Sequence, residues 1–435
     1  MISQVLFTLI LAGAVFWFAS NVGKIRRNIL LGREFEPGGL SSERWKTMAM
    51  VALGQSKMVT RPVAGILHFF VYAGFVIINI EVMEILIDGM FGTHRVFSGI
   101  GALYDVLIGS FEILAFMVLL ACVIFLIRRN ILKLKRFWMP EMTSWPRTDA
   151  NLILITEILL MAAFLTMNAA DSLLQDRGYE HYVIAGAFPV SSFVSAAFAG
   201  LSSESLFMIE RFCWWFHIIG ILAFLNYIPY SKHFHIFLAF PNTYYSNLNS
   251  KGKFNNMESV TREVKLMLDP SATPPADAAA APARFGAKDV QDLTWKQLMD
   301  AYSCTECGRC SSVCPANQTG KLLSPRKIMM DTRDRLEEVG KGIDKNGKEY
   351  KDEKSLFDYI SEEELWACTT CNACTEACPV NIDPLGIIVD LRRFLVMEES
   401  KVPAELGGMF NKIENNGAPW QFAQADRMNW PQSDS

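Results

Sequence analysis

Charge is scarce in this 435-residue sequence. Asp, Glu, Lys and Arg together make up 20% of it, against 51% apolar residues. A disordered chain needs the opposite balance and is excluded; a purely water-soluble enzyme is disfavoured. The net charge of −4 is too small for a nucleic-acid surface, so no nucleic-acid partner is expected. No G-x-G-x-x-G turn opens a helix, and no flavin or nicotinamide site is visible. Histidine is rare, with six in the whole chain. Cysteine is nearly confined to one region: eight of the ten fall between Cys304 and Cys378.

What is present divides into two parts. Residues 1–250 hold 18 basic and 16 acidic side chains, and residues 251–435 hold 23 and 29, so the acidic excess lies in the second part. The first part contains five apolar stretches near the ~20 residues that a helix needs to cross a bilayer. They are residues 2–20, 62–87, 104–127, 152–170 and 206–230. The first has no basic leader or A-x-A-like cleavage site, and Lys24, Arg26 and Arg27 come after it, so it reads as a retained span. The first and third connecting loops are rich in Lys and Arg. The second and fourth carry only Arg95 and Arg177. The basic bias therefore expects loops one and three in the cytoplasm, the N-terminus outside, and everything after the fifth span inside. The expected location is the cytoplasmic (inner) membrane, crossed several times. The clustered cysteines then lie in a reducing compartment, where they read as metal ligands rather than disulfides.

Beyond the spans, residues 257–268 form an amphipathic, helical pattern. The Ala- and Pro-rich stretch 269–288 has no hydrophobic period and reads as an extended linker. A soluble domain begins near Asp289. Its helix starts are legible: Ser324-Pro325 and Asp383-Pro384 are N-cap plus proline pairs, and Ser361 to Glu364 is a capping box. No strand pattern stands out, so the expected fold is all-α, a five-span transmembrane helical bundle followed by a helical domain. The expected boundaries are 1–245 for a membrane domain and 246–288 for the amphipathic piece and linker. Residues 289–400 form the cysteine-bearing domain, and 401–435 a tail that contacts a partner.

The cysteines form two matching motifs. CTECGRCSSVCP supplies Cys304, Cys307, Cys310 and Cys314; CTTCNACTEACP supplies Cys368, Cys371, Cys374 and Cys378. Both read C-x₂-C-x₂-C-x₃-C-P, the bacterial ferredoxin run, in which the fourth cysteine reaches the other cluster. The expected ligand sets are Cys304, Cys307, Cys310 and Cys378 for one [4Fe–4S] cluster. Cys368, Cys371, Cys374 and Cys314 would hold the second. Two zinc sites would also need four cysteines each, but not this doubled spacing with its terminal proline. Gly308, Ser311 and Ala373 are small enough to let backbone N–H groups approach the sulfurs. Between the motifs lie helices and a charged loop, KGIDKNGKEYKDEK. This arrangement resembles the α-helical ferredoxins of heterodisulfide reductase and anaerobic glycerol-3-phosphate dehydrogenase subunits. The resemblance implies clusters that conduct electrons and bind no substrate. Cys122 and Cys213, on the spans, read as small packing residues.

Three histidines are haem candidates. His68 lies in the second apolar stretch, His217 in the fifth, and His235 at the inner end of the fifth. A histidine within a span is costly, and haem b coordinated between two helices would satisfy both rings. If the helix continues, His217 and His235 share one face and stand about 27 Å apart, one near each membrane surface. By depth His68 pairs with His235; counting from the charged ends allows His68 with His217. His233 reads as an interfacial residue. The segment FHIIGILAFLNYIPYSKHFHIFLAFP resembles the last span of the cytochrome b subunit of respiratory nitrate reductase, with Pro229, Ser231, Lys232 and His235 in its proline–serine–basic–x–x–His context. That family has a second histidine where this chain has Ile78, so one haem is provided for and His217 lacks a mate. Arg61 and Lys232 are available for haem propionates.

The whole chain resembles membrane subunits of heterodisulfide-reductase-like complexes. The resemblance implies an electron-transfer subunit linking a quinone substrate, haem b and two [4Fe–4S] clusters to a cytoplasmic partner. That partner would be an iron–sulfur (CCG-type) subunit or a flavoprotein; no catalytic residue is assigned here. A self-contained quinone oxidoreductase, served by a mobile ferredoxin or electron-transfer flavoprotein, is one alternative. A redox-sensing or assembly protein of the membrane is another.

Overall fold

A computed structural model describes residues 1–179, 181–250, 252–269, 271, 284–421 and 423–429. Most of the expected linker lies outside these residues. Five long helices dominate the first part: α1 (Ile2–Ile29), α2 (Pro62–Phe91), α3 (Ala102–Leu126), α4 (Trp145–Asp176) and α5 (Ser203–Tyr227). Each is long and apolar enough to cross a membrane. The helices overrun the apolar windows read from sequence. α1 continues through Arg26 and Arg27, whose charges oppose the negative end of the helix dipole. α4 starts at Trp145 with a proline in its first turn.

Each long helix packs on its neighbour in the chain, and α1 closes the ring by packing on α2 and α5. The apolar part of the bundle core is built from Phe7, Ile78, Ile108, Phe111, Phe164 and Ile218 among others, beside buried Glu84, Arg95, Glu112 and Asp171. Large apolar side chains such as Phe16, Trp17, Val63, Met83 and Phe212 face outward. An apolar exterior of this kind suits lipid rather than water.

The second part is a compact helical module. Its helices include α6 (His235–Tyr244), α7 (Trp295–Ser303), α8 (Arg309–Val313), α9 (Pro325–Asn346), α10 (Ala373–Ala377) and α11 (Pro384–Met397). The legible caps are made. Ser324 Oγ accepts the N–H of Lys327, Asp383 accepts that of Gly386, and Ser361 and Glu364 form a reciprocal box. No strand occurs among the described residues; one isolated bridge joins Arg33 to Thr294. The all-α expectation holds.

Two expectations need correction. KGIDKN, read as the start of a loop, is the last turn of α9. Its Asp344 pairs with Lys24 and Arg27 of α1, which holds the turn in place. The second correction concerns the fifth span. Pro229 has no N–H to continue the ladder, and Ser231 is extended (φ −121°, ψ 153°). The chain turns there and restarts as α6 at His235, so the shared-face argument for His217 and His235 lapses.

The module is docked on the basic end of the bundle rather than held only by a tether. Ile25 and Ile29 of α1, with Ile228 and Phe234 at the corner after α5, lie in the same apolar core as Leu298, Leu336 and Ile387. Asn28 donates to the Tyr302 hydroxyl at 3.0 Å. A Cβ on Gly340 would lie 2.4 Å from the Asn28 amide, so α9 approaches α1 this closely only because that residue is glycine.

Candidate metal centre

The two cysteine loops have the same backbone. In the first, α7 ends at Ser303, and the chain passes Glu306 (φ 54°) and Gly308 (φ 70°) before α8. In the second, Thr370 (φ 55°) and Asn372 (φ 61°) hold the equivalent positions before α10. Two left-handed residues at the same spacing curl each loop, so that its first three cysteines face one space. Asn tolerates this conformation, and Gly adopts it without strain. Gly308 has a second reason: a Cβ there would lie 2.5 Å from a guanidinium nitrogen of the fully buried Arg326. Cys314 and Cys378 end their short helices in extended conformation (φ −71°, ψ 120° and φ −72°, ψ 124°). Prolines follow both.

Helix α8 packs against α10, and this contact carries each fourth cysteine across. Cys314, Cys368, Cys371 and Cys374 line one cavity together, walled by Pro315, Pro325, Leu385 and Ile388. On the other side, Cys378 lies within electrostatic reach of Cys304, Cys307 and Cys310. Among the described residues no three His, Cys, Asp or Glu side chains close tightly enough to hold one bare ion. Backbone N–H groups point at the sulfurs, from Thr370 to Cys368 at 3.5 Å and from Ile382 to Cys378 at 3.3 Å.

Burial pushes the Cys304 thiol up to about 11 and the Cys374 and Cys378 thiols up to about 12. Without a cluster these groups are neutral thiols, so metal loading must displace their protons. Glu306, between Cys304 and Cys307, is buried but pairs with Lys232 of the bundle side and with Arg333 at 2.8 Å. Burial alone would raise its carboxyl; Arg333 and Lys232 outweigh that and hold it below the usual range. Lys232 also approaches Asp149 at 3.7 Å, so its charge is taken up by carboxylates.

The module meets the bundle through more such contacts. Arg326 pairs with Glu141 at 2.7 Å and donates to the Arg136 carbonyl at 2.6 Å. Arg61 donates to Ser312 Oγ at 2.5 Å, and Arg309 to the Lys57 carbonyl at 2.9 Å. Arg309 lies within electrostatic reach of His68 on one side and of Cys307 and Cys378 on the other. The cysteines were legible from their spacing. The arginines were not, although Arg309 and Glu306 sit inside the first motif.

His68 and His235 are brought together, their ring centres 6.5 Å apart and their planes tilted by 46°. His235 Nδ1 is 3.1 Å from the Lys232 carbonyl, which fixes that nitrogen as the donor and leaves Nε2 with its lone pair. His68 Nδ1 is buried without a partner among the described residues. His233, read as interfacial, instead stands edge-on to His235 at 5.6 Å; the break at Ser231 removes the helical angle that would have separated them. His217 lies apart, buried in the bundle, with Nδ1 3.0 Å from the Leu160 carbonyl and Phe164 beside it. Ile78, at the place of the missing mate, is packed into the apolar core.

Comparison with known proteins decides the nature of the module. Residues 300–382 match the model of the 4Fe-4S dicluster domain. The dicluster domain thus covers all eight clustered cysteines and binds iron–sulfur clusters. Relatives extend further along the chain. A probable iron–sulfur-binding oxidoreductase, FadF of Bacillus subtilis, is 28% identical over 98% of this chain and 60% of its own length. The EtfAB:quinone oxidoreductase of Syntrophomonas wolfei is 26% identical over 87% of this chain and 52% of its own. One subunit of the dihydromethanophenazine:CoB–CoM heterodisulfide reductase of Methanosarcina acetivorans is 30% identical over 33% of this chain and 35% of its own. The chain therefore spans only 60% and 52% of the first two relatives. No solved structure matches. The chain thus joins five membrane-length helices to a 4Fe-4S dicluster domain.

Proposed function

We propose that this chain carries electrons between a quinone in the membrane and a redox partner beside the dicluster domain, through one haem b and two [4Fe–4S] clusters. The observation that carries the haem is the His68–His235 pair. A ring nitrogen binds a metal at about 2.0 Å and lies ~1.2 Å from its ring centre, so two imidazoles on opposite sides of one iron have centres ~6.4 Å apart. The observed separation of 6.5 Å fits that requirement. A second haem lacks a facing pair of histidines: His217, whose Nδ1 donates to Leu160, stands apart from His68 and His235, and Ile78 is packed in the apolar core.

The cluster ligands follow from the crossed loops: Cys304, Cys307, Cys310 and Cys378 for one, Cys368, Cys371, Cys374 and Cys314 for the other. Haem b and the clusters supply one-electron chemistry when bound. The chain itself orients and insulates. The Lys232 carbonyl holds the His235 tautomer, backbone N–H groups stabilise the thiolates, and the buried arginines keep the module fixed on the bundle. Electrons pass to or from a separate cytoplasmic iron–sulfur or flavoprotein subunit. The likeness to an EtfAB:quinone oxidoreductase favours a second reading, in which an electron-transfer flavoprotein is the direct partner.

A redox titration of the purified full chain tests this. We expect one haem b, about eight non-haem irons, and loss of the haem spectrum in His68→Ala with both clusters kept. A full iron complement without haem absorbance would falsify the haem assignment. Co-purification of a stoichiometric partner subunit separates the first reading from the second.

A further inference from the structure

A cavity of about 510 Å³ opens at the module end of the bundle, between the start of α2 and the segment after α3. Its lining holds four cations, Arg61, Arg128, Lys135 and Arg136, and no acidic side chain. The apolar part of the wall includes Val63 and Leu134. Its volume is that of a ligand pocket rather than a packing defect.

Among the described residues none of these four cations pairs with a carboxylate. Arg136 Nε is buried without a hydrogen-bond partner among the described residues. Burial, against a pull from Cys307 and with the help of Arg61, Arg309 and Arg128, lowers the Arg136 guanidinium to about 10. A crowd of this sign, at the level where a bilayer's headgroups lie, calls for an anion. The surroundings say which anion. Val63 and Ile66 on α2, and Ile131 and Leu132 in the segment after α3, are exposed apolar side chains. An occupant with a charged head and two hydrocarbon tails matches both surfaces; a free phosphate matches only one. None of His68, His233 and His235 lines the cavity.

We infer that this cavity binds the phosphate headgroup of an anionic phospholipid, whose tails run along α2 and α3. The site also borders the module. Arg61 reaches Ser312 on α8, and the Arg136 carbonyl receives Arg326. A bound lipid would brace the bundle against the first cysteine loop.

The test uses the full chain in detergent with phosphatidylglycerol, phosphatidylcholine and inorganic phosphate as separate probes, read by native mass spectrometry. One phosphatidylglycerol should survive delipidation. The Arg128→Gln/Lys135→Gln double variant should weaken its retention about tenfold, since each basic residue near a membrane surface adds a few-fold to anionic-lipid binding. Lys133→Gln, outside the lining, should retain it as the wild type does. Lys135 is exposed, so Lys135→Gln alone serves if the double variant does not fold, with a smaller loss in the same direction. Equal retention of phosphatidylcholine, or unchanged retention in the variants, overturns the proposal. So does displacement by inorganic phosphate at the lipid's own concentration, which would mark a free-phosphate site. A loss of haem with lipid retention intact also overturns it, in favour of haem propionates.

Discussion

Left-handed residues decide how the cysteine loops close. Gly308→Ala adds a Cβ at φ 70° and drives it to 2.5 Å from Arg326. We expect a loss of about 1–3 kcal/mol, seen as earlier thermal bleaching of the iron–sulfur absorbance. Asn372→Gly, at the matching position, should be close to neutral because Gly accepts that backbone freely. A second residue-level effect concerns pH. Burial raises Asp331 to about 6, against the pull of Lys327. Its folded value exceeds its unfolded one near 3.9, so it favours the fold below about pH 4 and loses that contribution as pH rises past about 6. The Tm of Asp331→Asn should therefore fall less than that of the wild type between about pH 5 and 7. At this scale the sequence was most informative where spacing carries the chemistry. The eight cysteines and His68 with His235 were legible; Arg309, Arg326 and His233 were not, because their partners lie on elements far away in the chain.

The elements were legible where their signals are local. Ser324-Pro325, Asp383-Pro384 and the Ser361 box marked true helix starts. The error at the end of α5 came from extending a helical count through Pro229, whose local signal pointed the other way. Helix-to-helix contacts are where the module is held. Glu141→Ala leaves the Arg326 guanidinium, wholly buried, without its carboxylate. Breaking such a buried pair costs about 3–5 kcal/mol; hydrogen exchange at α8 and the start of α9 should rise accordingly. Gly340→Leu should part α9 from α1, with increased proteolysis after Asn28 while the cysteine loops keep their iron.

Over the whole molecule, the division into an apolar bundle and a cysteine-bearing module was visible in composition alone. Their docking was not, since nothing in the composition tells a tethered module from a seated one. A protease site inserted within residues 272–283 tests the difference. After cleavage the module should stay with the membrane fraction in salt that screens surface charge, because its ion pairs to the bundle are buried. The contact between α1 and α9 also bears on how the protein is made. Arg27 leaves the ribosome 317 residues ahead of its partner Asp344. At ~5–20 residues per second, the first helix waits some tens of seconds with its end unfinished. Synthesis of the bundle is thus complete before the module can seat, and a chain whose translation stops short of α9 leaves the end of α1 open to quality-control proteases.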